Sequence, residues 1–228
     1  MDNNEKIILK VDEVEKFFAI NSGNLTILNG VSFSVKAGEK VAIIGPSGSG
    51  KSTLLSLIGL LDEPSAGKII IDNQNINELS EVSQADFRNK KIGFIFQSFE
   101  LISSFTVWEN IVAPLDIADI KPDKNYVDGL IKKLGLESRV QALPNTLSGG
   151  EKQRAAIGRA LVNNPALILA DEPTGSLDRI TGERVLDMLI AAVTDSGSSL
   201  IIITHDESLA DKMDRVFELR DKTIHERN

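Results

Sequence analysis

Apolar positions run along this chain in two rhythms that alternate. Ile7 to Phe18 mixes β-branched and polar residues and predicts a strand. "VSFSV" from Val31 alternates with the period of a half-buried strand, and "AGE" at Ala37 then turns the chain, as "SGN" at Ser22 does before it. "VAII" from Val41 is a short continuous apolar run that ends at a glycine. "STLLSLIGLL" from Ser52 has helical apolar density, and "KIIID" from Lys68 predicts another strand. From Glu81 to Asn163 the pattern is mostly helical, apart from "IGFIF" at Ile92, with Pro114, Pro122 and Pro144 as punctuation. Beyond it the alternation returns. Strand "ALILAD" is followed by a helix from Gly182 to about Ser196, strand "SLIIIT", a helix from about Glu207 and strand "RVFELR". Strands buried on both faces read as continuous apolar runs, and helices between them imply a parallel sheet. The pattern predicts an α/β core with a helical insertion.

Composition narrows the picture a little. The 228 residues are 42% hydrophobic and 25% charged, which suffices to bury a sizeable core. A net charge of -8 argues against a nucleic-acid partner, which usually meets a basic face. Cysteine is absent, so disulfides, cysteine-bound metals and a cysteine nucleophile are excluded. The first residues are polar and acidic-leaning and do not form a signal peptide. The longest apolar stretch, "LLSLIGLL" from Leu54, falls far short of the roughly 20 residues that span a bilayer. A soluble or peripheral protein is expected, and any membrane role requires a separate partner chain.

The chemistry concentrates at strand ends. "GPSGSGKST" fits G-x-x-x-x-G-K-[ST], with Gly45, Gly50, Lys51 and Ser52 on the fixed positions, a strand before it and a helix after it. Glycines let backbone N–H groups wrap a phosphate without interference from Cβ, and the helix N-terminus adds about half a positive charge. The whole loop (Gly45, Pro46, Ser47, Gly48, Ser49, Gly50, Lys51, Ser52, Thr53) is read as a nucleotide site. Lys51 reaches the β- and γ-phosphates and the Ser52 hydroxyl coordinates Mg²⁺. "LILADEP" is an apolar strand ending in two carboxylates. Asp171 is placed to hold the Mg²⁺ shell, and Glu172 to polarise an attacking water. His205 follows another apolar strand, on the side where such sheets bind ligands, and could bond a γ-phosphate or hold Glu172. Gln97 ends "IGFIFQ", where an amide oxygen can ligate Mg²⁺ or a water.

"LSGGEKQRAAIGRALV" from Leu147 raises a separate question. Ser148 and Glu151 make an S-x-x-E capping box, yet the first turn carries Gly149 and Gly150. Each glycine in a helix interior costs roughly 1 kcal/mol relative to alanine. A capped helix N-terminus with two glycines is an anion site on the logic of the first loop. Either the chain has two ligand sites, or this helix completes the nucleotide site of another copy in a twofold dimer.

"GPSGSGKST", "FQ", "LSGGE", "LILADEP", "SLD" and "THD" stand in the order found in ATP-binding cassette ATPases, and the chain resembles that family over nearly its whole length. The resemblance implies a P-loop NTPase with a RecA-like core, an N-terminal antiparallel β segment and an inserted helical subdomain. All 228 residues then form one ATPase domain, with 1–84 and 164–228 as core and 85–163 as the mainly helical part. It implies ATP and Mg²⁺ as ligands and a homodimer closing over two ATP molecules. Ser148, Gly149 and Gly150 then touch the γ-phosphate held by the other copy. Glu151 stands beside them where the family often has glutamine. Phe18 is similar to the aromatic that stacks on adenine, with Phe17 as rival. Gln97 resembles the residue that senses Mg²⁺ and the transporter. Ser176, Leu177 and Asp178 resemble the D-loop, where alanine or asparagine is commoner at the first position.

Three longer stretches, "GPSGSGKSTLLSLIGLLDEPSAG", "IGFIFQSFELISSFTVWENIVAPL" and "ILADEPTGSLDRITGERV", resemble the macrolide-exporter and lipoprotein-release type. That likeness implies a separate permease with few membrane helices and a large extracytoplasmic domain. It also implies a place on the cytoplasmic face of the membrane. Phe105, Trp108 and Glu109 would face the permease, although Trp108 equally suits packing within the helical part. A cassette acting on ribosomes is the alternative, but those usually carry two cassettes in tandem. A DNA-repair head would need a long coiled coil before Leu147, and the guanine-reading N-K-x-D is not matched by "NKKI" at Asn89.

Overall fold

The structure is a computed structural model that describes residues 6–20 and 23–227. The turn expected at Ser22 lies outside the described residues. The elements in chain order are β1 (Ile7–Ile20), β2 (Gly23–Lys36), β3 (Lys40–Ile44), α1 (Lys51–Ile58), β4 (Ala66–Ile71), β5 (Gln74–Asn75), α2 (Glu81–Lys91) and β6 (Ile92–Ile95). There follow α3 (Val107–Ile117), α4 (Lys124–Lys133), α5 (Gly149–Leu161), β7 (Leu167–Asp171), α6 (Arg179–Ser196), β8 (Ser199–Ile203), α7 (Glu207–Ala210), β9 (Arg215–Arg220) and β10 (Thr223–Arg227). The α/β class is as expected. Among the described residues no helix is long and apolar enough to cross a membrane.

The chain divides into two compact units, Met1–Arg88 with Ser199–Asn228, and Asn89–Ser198. The first contains an antiparallel sheet in the order β2-β1-β4-β5 and, separately, strands in the order β10-β9-β3-β8. β3 is parallel to both β8 and β9, and its Val41–Ile43 are fully or almost fully buried. Five apolar residues of β8, α7 and β9 (Ile201, Ile202, Leu209, Phe217, Leu219) are buried in the same unit. Continuous apolar runs are therefore central strands here, as their composition predicts. Arg215 ties the edge together: it donates to both carboxylate oxygens of Glu226 at 2.7 and 2.8 Å and to the Ser34 carbonyl at 3.0 Å.

Two strands of this unit escape a reading of the sequence. β5 and β10 each follow a two-residue turn, Asp72-Asn73 and Asp221-Lys222, with all four residues at positive φ. This is the backbone of a tight hairpin, normally signalled by Asn-Gly or Asp-Gly. Lys222 hides it. β2 is also much longer than the five residues of "VSFSV", because its paired first half lacks a clean alternation.

The second unit holds β6 parallel to β7, packed with α5 and flanked by α3, α4 and α6. It includes β7 and α6 as well as residues 89–163 of the helical part expected at 85–163, whose first four residues belong to the first unit. That stretch is less continuous than its apolar density suggests, since 96–106 and 134–148 are largely loop and short turns. α6 starts three residues before Gly182, because Asp178 caps it by accepting from the Thr181 N–H at 3.1 Å.

α5 lies against the β6–β7 pair at backbone distance. A Cβ on Gly93 in β6 would stand 2.2 Å from the Ala160 carbonyl oxygen and 2.6 Å from Ile168 Cδ1. No L side chain fits there. Gly93→Ala should lower the urea-unfolding free energy by about 3 kcal/mol, at the upper end for overpacking. A variant that unfolds at the wild-type urea midpoint would show that α5 can back away from the sheet.

Candidate functional site

The loop between β3 and α1 is built to leave a helix end bare. Gly50 is the N-cap of α1, in the left-handed region at φ 102°, and no side chain caps the helix. Gly45 has φ 152°, and a Cβ there would stand 2.4 Å from the Leu219 carbonyl oxygen. Both positions exclude any other residue. Lys51 is almost fully buried, and its Nζ donates to the carbonyls of Gly45 at 2.8 Å and Pro46 at 2.9 Å. The loop thus curls around the ammonium. Ser49 Oγ is buried inside it without a hydrogen-bond partner. An orphaned hydroxyl, uncapped N–H groups and a lysine held by neutral carbonyls fit a phosphate ligand. Ser52 is exposed on the first turn of α1, and Thr53 is half-buried.

Other expected residues of the first unit lie near this loop or at the same end of the sheet. Ile43 pairs with Ile203 in parallel register, and the Thr204 N–H donates to the Ile43 carbonyl at 3.2 Å. Gly45 and His205 therefore leave neighbouring strands at the same end, with His205 exposed. The Cβ position of Gly50 lies 3.1 Å from both Ile27 Cγ2 and Leu28 Cδ2, so β2 abuts the loop. Along the ribbon, Lys16 pairs with Leu28, Phe17 with Thr26 and Phe18 with Leu25. Both Phe17 and Phe18 are exposed.

In the second unit, Asp171 ends β7 half-buried and Glu172 follows with φ 45°. A non-glycine residue in this region costs of order 1–3 kcal/mol and persists only where its surroundings hold it. One such hold is the turn Glu172-Pro173-Thr174-Gly175, closed by the Gly175 N–H on the Glu172 carbonyl at 3.0 Å. The Ser176 hydroxyl donates to the Gln97 carbonyl at 2.8 Å, and the Gln97 amide lies 2.9 Å from where a Gly175 Cβ would sit. The structure thus brings Gln97 and Ser176 together, which their spacing in sequence does not reveal. Asp178 is the α6 cap, and its hydrogen bonds from Thr181 hold its carboxyl below the usual carboxylate range.

The α5 N-terminus carries the expected box in full. Ser148 N–H and Oγ both donate to Glu151 Oε2 at 2.8 Å, and the Glu151 N–H donates back to Ser148 Oγ at 3.3 Å. Arg139 adds a bond to Glu151 Oε1 at 2.7 Å. Helix geometry leaves the N–H groups of Gly149 and Gly150 without an acceptor inside the helix. The glycines also have a packing reason. A Cβ on Gly150 would stand 2.7 Å from Thr181 Cγ2, and one on Gly149 3.0 Å from Leu177 Cδ2. Glu109, read as facing a permease, closes an equivalent box with Thr106 at the start of α3. Trp108 is half-buried with the Lys124 ammonium 6.0 Å from its ring.

The family described as "ABC transporter" matches residues 28–175. The lipoprotein-releasing system ATP-binding protein LolD of Shewanella frigidimarina is 41% identical over 223 residues, spanning 97% of this chain and 93% of its own. The LolD protein of Legionella pneumophila is 40% identical, spanning 97% and 98%. A solved dimeric structure of the ATP-binding cassette MJ0796, in a post-hydrolysis state with ADP and Pi, superposes with a TM-score of 0.87. It shares 38% identity and covers 96% of this chain and 98% of that one.

The α5 cap has a defined pH window. The Ser148 N–H, then the Arg139 guanidinium and the Ser148 hydroxyl, push the Glu151 carboxyl from 4.5 down to about 2. A depressed carboxylate stabilises the fold fully above its unfolded pKa and loses that contribution as pH falls toward the folded one. The contribution of the cap to stability should therefore fall as pH drops from 4.5 toward about 2, while the Ser148 amide proton shift of the folded protein titrates at about 2. Glu151→Gln should abolish the step, and a step that survives the substitution would assign it to another group.

Proposed function

The chain belongs to the ABC transporter family, as one of its ATP-hydrolysing cassettes, and we propose that it drives a separate permease of the lipoprotein-release and macrolide-exporter type. The P-loop α/β fold and nucleotide binding are those of the family. The observation that carries the reading is the pair of glycine-bearing helix N-termini, α1 and α5, in one chain with a single P-loop. A second anion-facing helix end without its own lysine loop suits a phosphate held by another copy, so the working state is a homodimer closed over two ATP molecules. The dimeric MJ0796 cassette supports that arrangement.

Roles follow from each residue's chemistry. The loop from Gly45 to Thr53 cradles the β- and γ-phosphates with its backbone N–H groups, which every residue but Pro46 has, and Lys51 supplies a fixed positive charge. Phe18 offers an exposed π-face to adenine. Mg²⁺, when bound, is assigned to Ser52, Gln97 and Asp171, and it neutralises charge on the phosphate oxygens. Among the described residues no group of three or more His, Asp or Glu is placed to hold a metal ion. Glu172, held off-helix at positive φ, takes the proton of the attacking water. His205 is assigned to the γ-phosphate. Ser148, Gly149 and Gly150, with Glu151 holding the cap, clamp the other copy's γ-phosphate.

The two LolD relatives, named as ATP-binding proteins of a lipoprotein-releasing system, support a separate membrane partner. That this partner has few membrane helices and a large extracytoplasmic domain, and that the chain sits at the cytoplasmic face, are part of the proposal. Purification of the tagged chain from native membranes in mild detergent should recover such a permease. A many-helix permease would change the subtype, and recovery with ribosomes would overturn the membrane assignment. Glu172→Gln should still dimerise with ATP by size-exclusion chromatography while turnover falls about 10²–10⁴-fold, the usual worth of a general base. Turnover at the wild-type rate would remove Glu172 from that role.

A further inference from the structure

Lys16 is a charged residue that the assigned mechanism does not use, yet it is only 8% exposed. Its Nζ donates to Asp62 Oδ1 at 2.8 Å and to the Glu63 carbonyl at 2.8 Å. The same nitrogen lies 5.0 Å from the centroid of the Phe18 ring. Side chains two apart on a strand share one face, so Lys16 and Phe18 sit side by side on β1. Phe18 is itself 46% exposed. Phe17, the other aromatic at this place, points to the opposite face, and no cation lies over its ring among the described residues. The ribbon that carries the pair is seated on the phosphate loop. Leu28, opposite Lys16, touches the Cβ position of Gly50, and Leu25 stands opposite Phe18.

We propose that Lys16 is a positioning residue for the nucleotide base, a tethered cation behind the Phe18 ring that fixes its orientation and tunes its open face. This rests on the reading of Phe18 as the adenine platform. An ammonium within about 6 Å of an aromatic ring is attracted by its π-cloud. The attraction draws electron density toward the cation, so the opposite face becomes less negative and stacks better on an electron-rich purine. Asp62 and the Glu63 carbonyl hold the ammonium in place, so the ring is ordered before the base arrives and less freedom is lost on binding. The bulge in the β1–β2 register between Lys16 and Phe17, where Ile27 is the extra residue, turns this pair relative to the rest of the ribbon. Discrimination between a nucleotide and a bare polyphosphate therefore depends on a residue that touches neither.

The test is calorimetric binding of ATP and of inorganic tripolyphosphate to the full chain, for wild type, Phe18→Ala, Lys16→Met and Lys16→Arg. Lys16→Met should weaken ATP by up to about ten-fold, within the range of a cation–π contact, and leave tripolyphosphate unchanged. Lys16→Arg, which keeps a cation there, should restore most of the ATP affinity. Should Lys16→Met fail to fold, Asp62→Asn carries the comparison and should lose ATP affinity alone. If Phe18→Ala weakens ATP while the Lys16 and Asp62 variants do not, the inference falls and the platform stands. If Phe18→Ala leaves ATP binding intact, the platform reading falls and takes the inference with it. Equal loss of ATP and tripolyphosphate in Lys16→Met would mean that Lys16 merely supports the ribbon, and would overturn the proposal.

Discussion

The first N–H groups of an α-helix have no acceptor within the helix, and something outside it must satisfy them. This chain does so in two ways. At α3, α4, α6 and α7 the side chains of Thr106, Asp123, Asp178 and Asp206 accept from the first turn, and those ends are closed. At α1 the N-cap is a left-handed glycine with no side-chain bond, and that end is open. α5 lies between these cases. Ser148 and Glu151 satisfy one another, and the N–H groups of Gly149 and Gly150 are left uncovered by any side chain of their own. The proposed phosphate contacts fall at α1 and α5, whereas at α3, which has the same kind of box as α5, the Val107 and Trp108 N–H groups are also taken by the Ala142 and Val140 carbonyls. An uncapped N-terminus keeps its first N–H groups and its dipole available to an anion, which a fully capped one does not.

This division explains how much of the site is legible in the sequence. Glycine at 45 and 50 can be read because only glycine tolerates the backbone there, and a motif with fixed glycine spacing reports that geometry. Gly149 and Gly150 are legible for a reason that is only half the truth. The anion-binding role proposed for them rests on the cap pattern. The tight seating of α5 on Leu177 and Thr181 does not, since it depends on residues some thirty positions away. The bond between Ser176 and the Gln97 carbonyl is hidden for the same reason: it joins two loops 79 residues apart. It also gives the serine a use that alanine at this position would lack. Phe18 is preferred over Phe17 in the sequence by spacing alone, and only the three-dimensional position of Lys16 adds a physical ground for that choice.

Of the fold, the central strands were the most legible part. β3, β7 and β8 are continuous apolar runs because both their faces are buried. The edge hairpins were the least legible. β5 and β10 are short, half-exposed and joined by turns whose positive φ angles fall on aspartate, asparagine and lysine, so neither burial nor glycine marks them. α7 shrinks to four residues because the polar stretch after Ala210 gives it no second turn to bury.

Two lysines of the first unit show how the same physics yields different roles. Lys16 and Lys51 are both less than one-tenth exposed, and a buried ammonium must be hydrogen-bonded. Lys51 is held by the neutral carbonyls of Gly45 and Pro46, so its charge is solvated by dipoles and not cancelled. A phosphate arriving at the loop meets an uncompensated cation and can draw it from carbonyl partners that lose only a dipolar contact. Lys16 has a carboxylate partner in Asp62, whose attraction is of full charge on charge. Partial burial raises the Asp62 carboxyl, but the Lys16 ammonium and the Glu63 N–H outweigh it and keep the group ionised below its ordinary range. Moving that ammonium toward a ligand would break an ion pair as well as the bond to the Glu63 carbonyl. On the proposed roles, Lys51 is the lysine that can turn toward a phosphate, while Lys16 stays with Asp62 beside the Phe18 ring. The choice between them is made by the residues at the far end of each hydrogen bond.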